Sequence, residues 1–253
     1  MKALAAACLA AAACGAWAHD TWFAPSRDPA RGATKLELAT GTRYPVQDST
    51  PGAASVVRAE CRGRGGQRVP LQGEDRSTLW LDLTARGDAV SCWAELMPFS
   101  IQLEPKIVQV YLDEIHASPA VRQAWARMQA RGVPWRESYR KFARIELDPS
   151  LAARREPAGL PMELVVLGEG ELRAGAQLAF QLLRDGKPLA NFPVEFVSER
   201  SRVGLWRETD AEGKLRQALP FAGRWLLRGT DVRPAADGER WESRFVTLAI
   251  ELR

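Results

Sequence analysis

The feature that most limits the possible folds is a series of short apolar segments, each bounded by glycine, proline or aspartate, near the end of the chain. Met162–Leu167, Gln177–Leu183 and Trp241–Leu252 have the length and composition of strands. Asp185-Gly186 follows one of them and favours a tight hairpin, because both residues accept the positive φ angles of such a turn. About seven short strands at this spacing predict an immunoglobulin-like or transthyretin-like β-sandwich.

The first part of the chain shows the same strand pattern. Leu36–Thr40, Ser55–Cys61 and Ala89–Leu96 are predicted strands, separated by glycine-rich turns. Trp80 falls in a further predicted strand, Thr78–Leu83, and Trp93 falls in Ala89–Leu96; both are expected in the core. These segments predict an antiparallel β domain.

The spacing of apolar residues changes between these two regions. The apolar spacing of Pro105–Arg131 favours helices that are broken near Ser118-Pro119, where Ser118 is a candidate N-cap. Trp135–Ile145 is interpreted as a further amphipathic helix. The expected fold is therefore mainly β, with two antiparallel β-sandwich domains and a helical insertion between them. The expected boundaries are a signal peptide (1–18), an N-terminal β domain (19–103), the helical insertion (104–147), a linker (148–161) and a C-terminal sandwich (162–253).

The first 18 residues have the three-part plan of a secretory signal peptide: Lys2, an apolar run and the small-x-small triplet Ala16-Trp17-Ala18. Cleavage is expected after Ala18, which predicts a periplasmic protein. No later apolar run approaches the roughly 18 residues of a membrane helix, so no spanning segment is expected in the mature chain. An alternative is a lipoprotein, because Ala11-Ala12-Ala13-Cys14 faintly resembles a lipobox.

Cleavage there makes His19 the first mature residue. A free N-terminal histidine offers an α-amine and an imidazole from one residue, and nitrogen donors suit copper, nickel and zinc. Signal peptidase tolerates almost any residue after its site, so histidine here is also compatible with no role. The mature chain keeps Cys61 and Cys92, which are predicted to form a disulfide in an oxidising compartment. Two soft metal ligands are the alternative.

The sequence lacks the residues that several classes of function require. The chain has two histidines in all, and the second, His116, is a weak candidate ligand on a predicted helix, so a three-histidine zinc site is excluded. No GxSxG, HExxH, CxxC or phosphate-binding glycine loop occurs. The net charge of +4 is spread along the chain, so no nucleic-acid partner is expected.

Eight segments together carry a resemblance to a known family: AHDTWFAP (18–25), GTRYP (41–45), VYLDEI (110–115), WRESYRKFARIEL (135–147), DGKPLANFPV (185–194), TDAEGKL (209–215), WLLRGTDVRP (225–234) and WESRFVTLAIEL (241–252). The chain resembles the exported bacterial proteins of the "domain of unknown function 4198" family. Some members of that family are labelled as nickel-uptake substrate-specific components.

The resemblance implies a periplasmic, non-enzymatic β protein connected with transition-metal handling. Many members carry a His-Met pair where this chain has Asp231-Val232, so Asp231 replaces an expected imidazole. The leading hypothesis is a protein that binds nickel, cobalt or copper through His19, with Asp231, Asp20 or His116 completing the site. A membrane transporter or an outer-membrane protein is the expected partner in uptake.

Two other classes remain open. One is a secreted structural or interaction module that binds a protein partner without metal. The other is a copper oxygenase, which uses an N-terminal histidine but needs a second histidine beside it; His116 would have to fold back to the N-terminus to supply it.

Overall fold

The computed structural model describes residues 19–28, 33–75, 78–81, 89–147, 156–168 and 170–253. This part of the chain is mainly β, as expected. Its strands are β1 (Asp20–Asp28), β2 (Ala33–Gly41), β3 (Val56–Gly63), β4 (Arg68–Pro70), β5 (Gln72–Asp75), β6 (Thr78–Leu81), β7 (Ala89–Leu96), β8 (Phe99–Leu103), β9 (Trp135–Glu146), β10 (Met162–Leu167), β11 (Gln177–Arg184), β12 (Lys187–Pro188), β13 (Pro193–Ser198), β14 (Ser201–Glu208), β15 (Lys214–Ala218), β16 (Gly223–Pro234) and β17 (Trp241–Leu252). Its helices are α1 (Pro105–Glu114) and α2 (Pro119–Ala130). The predicted signal peptide, the Trp80 side chain and residues 148–155 of the predicted linker lie outside the described residues and side chains.

A nine-stranded sheet joins both halves of the chain. Its order is β14-β13-β16-β17-β9-β7-β3-β4, with β8 also paired to β9. Strand β9 pairs in parallel with β17 and antiparallel with β7. Strands from the predicted N-terminal domain, the predicted insertion and the predicted C-terminal domain therefore share one sheet. The expected division into two separate sandwiches is not confirmed.

Two smaller sheets cover the two faces of this large sheet. The β1-β2-β6-β5 sheet contributes Trp22 and Leu38 to a core that includes Cys92 and Ala143 of the large sheet. The sheet of β10, β11, β12 and β15 packs against the opposite face, in a core that includes Trp93, Phe142 and Leu248. Trp93 is fully buried, which confirms its predicted place in the core.

The two helices confirm the helical prediction for residues 105–131. Ser118 caps α2, since its hydroxyl accepts a hydrogen bond from the Val121 amide at 3.4 Å. Both helices pack over one end of the large sheet, where Tyr111 and Trp125 share a core with Trp135. Within the described parts of the chain, no helix has the length and apolar character needed to cross a bilayer.

The predicted helix over residues 135–145 is wrong, because this segment is strand β9. Strand β9 lies inside the large sheet and is covered on both faces, so Phe142, Ala143, Arg144 and Ile145 are all buried. A strand buried on both faces shows a run of apolar residues without strict alternation, and such a run is easily mistaken for a helical segment.

Two local predictions are confirmed. Asp185 and Gly186 have φ angles of 51° and 73° and form the turn between β11 and β12, where Arg184 pairs with Lys187. Cys61 and Cys92 are directly opposite in β3 and β7 and form a disulfide with an S–S distance of 2.01 Å. The disulfide therefore links two neighbouring strands of the large sheet.

Candidate functional site

His19 lies immediately before β1 and is half-buried. The antiparallel pairing of β1 with β2 places Asp20 opposite Gly41, and the large sheet holds this end of β1 through two hydrogen bonds. Lys141 Nζ donates to the His19 carbonyl at 2.6 Å, and Thr247 Oγ1 donates to the Thr21 carbonyl at 2.6 Å. The predicted first mature residue is thus held in place on the sheet, and it lines a cavity of about 430 Å³.

Asp48 is an acidic neighbour of His19 that the sequence did not suggest. The chain after β2 folds back, so Ser49 pairs with Thr40, and the Asp48 carboxylate accepts hydrogen bonds from the Thr42 amide at 2.9 Å and the Thr42 hydroxyl at 3.2 Å. The pKa of Asp48 is lowered, chiefly by the Thr42 amide and to a smaller extent by His19. Asp48 is therefore ionised and within electrostatic reach of His19.

Asp20, a predicted ligand, turns to the other side of β1. Its buried carboxylate forms an ion pair with Arg228, whose guanidinium also binds Glu195 at 2.6 Å. Burial alone would lower the pKa of Arg228, but the two carboxylates raise it above its ordinary value. Asp20 thus serves a partly buried ion-pair cluster that joins β1 to β13 and β16.

His116 and Asp231, the other two predicted ligands, are each engaged elsewhere. The His116 ring stacks on Trp206 with 3.7 Å between ring centroids, and it lines a second cavity of about 720 Å³ together with Asp20. The Asp231 carboxylate binds Arg184 and Arg233, the latter at 3.0 Å. Neither residue lines the cavity of His19.

A metal ion at His19 would need the α-amine of this residue as one of its ligands. Across the described residues, no group of three or more His, Cys, Asp or Glu side chains could hold a metal ion. Cys61 and Cys92 are joined to each other, so neither is a thiolate ligand. The donors near His19 are its imidazole, the Asp48 carboxylate and, after cleavage at Ala18, the α-amine. Such a set of two nitrogens and one oxygen suits nickel, cobalt, copper or zinc.

Comparison with known proteins defines the family. The model of the family described as "Domain of unknown function (DUF4198)" matches residues 16–230, most of the chain. The chain belongs to this family. No curated protein matches this family member.

A likeness to one solved structure is weak. That structure is described by the words "Structural insight into host cell surface retention of a 1.5-MDa bacterial ice-binding adhesin". The two chains are 8% identical, the match covers 93% of this chain and 66% of the other, and the TM-score is 0.24. This chain therefore spans about two thirds of the length of that one, and a TM-score this low carries no argument about fold or function.

Proposed function

We propose that this protein is exported to the periplasm and, without catalysing a reaction, binds a divalent transition metal and assists its uptake or handling. The observation that carries the proposal is the position of His19, held at the start of β1 within electrostatic reach of Asp48. Nickel, cobalt and copper are the proposed metals. The proposed ligands are the α-amine and imidazole of His19 and the carboxylate of Asp48.

The chemistry of these donors supports the proposal. An amine and an imidazole on one residue chelate a metal without any further ordering of the backbone, because the His19 carbonyl is already held by Lys141. The two hydrogen bonds from Thr42 orient the Asp48 carboxylate, as partners of ligand groups do in known metal sites. Affinity should fall as the pH is lowered, because the amine and imidazole must lose their protons to bind metal.

Export is part of the same proposal. The free amine exists only if a signal peptidase cleaves after Ala18, and that processing takes place in a bacterial envelope. The disulfide between Cys61 and Cys92 supports export, since such bonds persist in oxidising compartments and are rare in the cytosol. The expected partner in metal uptake is a membrane transporter or an outer-membrane protein.

Calorimetric titration of the mature protein, residues 19–253, with Ni²⁺, Co²⁺, Cu²⁺ and Zn²⁺ tests the proposal. Mass spectrometry verifies that His19 is its first residue. We expect micromolar or tighter binding. Insertion of one glycine before His19 moves the α-amine to a different residue and should abolish metal binding. Asp48→Asn should weaken binding by about tenfold or more, whereas Asp237→Asn, which removes another exposed carboxylate, should leave it unchanged.

Binding that survives the glycine insertion would contradict a site at the mature N-terminus.

Absence of binding would favour the second candidate, a secreted interaction module that binds a protein without metal. One observation supports that candidate: β14 pairs only with β13 among the described strands, and Val203 on it is 76% exposed. An edge strand of this kind can accept a strand from a partner. Residues 162–253 would then act as a transthyretin-like or immunoglobulin-like module.

A further inference from the structure

Aromatic rings form one part of the wall of the cavity beside His19. The rings of Phe99 and Tyr139 stack with their centroids 5.5 Å apart, and Phe245 meets Tyr139 edge-to-face at 5.7 Å. Tyr111 stacks beside Phe245 in turn. The volume of about 430 Å³ is that of a site for a small organic molecule. This part of the wall therefore suits a flat or branched apolar group.

Lys141 places a buried cation in this cavity. The side chain is 7% exposed, and its Nζ lies 5.6 Å from the centroid of Tyr139 and 5.9 Å from that of Phe245. An ammonium group has three hydrogen-bond donors. One of them is used by the His19 carbonyl, and no second acceptor is found among the described residues.

No carboxylate of the described chain forms a salt bridge with Lys141. Asp20 acts on it electrostatically, but the Asp20 carboxylate is bound by Arg228. Removing a charge from water without pairing it is costly, so an anion that reached Lys141 would find a favourable partner. A ligand could supply that anion without displacing a contact of the protein.

Glu137 carries the other side-chain charge of the cavity wall, but hydrogen bonds within the protein already occupy both of its oxygens. Its Oε2 accepts a hydrogen bond from the Trp135 indole at 2.8 Å, and its Oε1 accepts bonds from the Tyr111 hydroxyl at 3.0 Å and from Ser243. Glu137 and Lys141 are four residues apart on β9, which is roughly 13 Å along a strand. The cavity is thus polarised, with an available cation at one end and a satisfied carboxyl group at the other.

We propose that this cavity binds a small carboxylic acid with an aromatic or branched apolar body, whose carboxylate pairs with Lys141 and whose body lies against Phe99 and Tyr139. The size of the cavity, its aromatic wall and the unused donors of Lys141 together carry this inference. The binding site differs from the proposed metal site in its ligand and in its key side chain. It does not require a metal.

Calorimetry of the processed, EDTA-treated protein with phenylacetate and with phenylacetamide tests the proposal, since the two compounds have the same shape and differ in charge. We expect phenylacetate to bind at least about tenfold more tightly, the factor expected of a charged hydrogen bond. Lys141→Met should remove this preference while leaving phenylacetamide binding unchanged. Lys106→Met, which removes an exposed lysine of α1, should change neither affinity.

A cavity-filling variant checks the location independently of Lys141. Ile101 is half-buried in the wall, and Ile101→Trp should abolish binding of both compounds. Circular dichroism establishes that each variant is folded. Equal affinities of the wild-type protein for the two compounds would overturn the proposal without reference to any variant. A preference for phenylacetate that persists in Lys141→Met, or no binding of phenylacetate at millimolar concentration, would overturn it as well.

Discussion

Replacement of Arg144 by methionine should be among the most destabilising single changes in this protein. Arg144 lies on β9 with its side chain 1% exposed, and its guanidinium donates to Glu146 at 2.9 Å and to Glu163 at 3.3 Å. It also donates to the Glu156 carbonyl at 3.1 Å. Arg144 therefore ties the large sheet to β10 and to the segment that precedes it.

The magnitude follows from the two carboxylates that the change leaves behind. Glu146 and Glu163 have side chains 2% and 0% exposed, so neither can recover its solvation without local opening. Removing one partner of a buried ion pair costs about 3–5 kcal/mol. For a protein of this size, 1 kcal/mol corresponds to about 2–4 °C in Tm, so Arg144→Met should lower Tm by roughly 6–20 °C.

Thermal unfolding followed by circular dichroism measures this loss. Adding Glu163→Gln to the Arg144→Met variant should restore part of the lost Tm. The second change removes a buried charge that has lost its partner, while the side-chain oxygen of the new residue can still accept a hydrogen bond from the backbone amide of Ala158 or Gly159. Arg240→Met, which breaks an exposed ion pair, is the matched control and should leave Tm unchanged. A Tm of Arg144→Met within error of the wild type would refute the reasoning, as would a further drop in the double variant.

Three further changes should have measurable effects. Replacing Cys61 and Cys92 by serine should lower the free energy of unfolding by about 3.7 kcal/mol in urea titrations, given a separation of 31 residues; a loss below 1 kcal/mol would argue against this. Burial raises the folded-state pKa of Glu137 above 4.5, so the protonated Glu137 carboxyl group stabilises the fold fully below pH 4.5, and this stabilisation is lost as the pH rises through the folded-state pKa. Glu137→Gln should abolish this part of the pH dependence of stability. An unchanged pH profile of the variant would count against the argument. Gly213→Ala should lower the free energy of unfolding by more than about 1 kcal/mol, because the φ angle of Gly213 is +68° and a Cβ would lie 2.8 Å from backbone atoms. Gly238→Ala should lower it less, because Gly238 has a similar φ angle of +66° but a Cβ there would meet no atom within 4 Å. Equal losses in the two variants would disprove the steric argument.

The features that could be predicted from sequence are those with a local cause. Ser118 caps α2 through an amide three residues away, and Asp185-Gly186 closes a hairpin whose strands are adjacent in the chain. The disulfide between Cys61 and Cys92 followed from the parity of the mature cysteines once export was assumed. Each of these inferences needed only a short stretch of chain or a count of one residue type.

The surroundings of His19 could not be predicted in the same way. Asp48 lies within electrostatic reach of it because the chain after β2 turns back across Thr40 and Thr42, and Lys141 binds its carbonyl from another sheet. Neither approach leaves a periodic signal in the sequence. The predicted companion Asp231 lies far along the chain on β16, where arginines hold it. Sequence reasoning therefore selected His19 as a candidate but had no means of selecting its neighbours.

Strand β9 explains both the wrong helix and the unconfirmed domain boundary. Its two buried faces remove the alternation by which a strand is recognised, so the sequence pattern of Trp135–Ile145 predicts a further helix. Once β9 is a strand, its parallel pairing with β17 and antiparallel pairing with β7 join the halves that the sequence had separated. The same strand carries Glu137, Lys141 and Arg144. The misassigned segment is therefore the one that links the halves and builds the cavity beside His19.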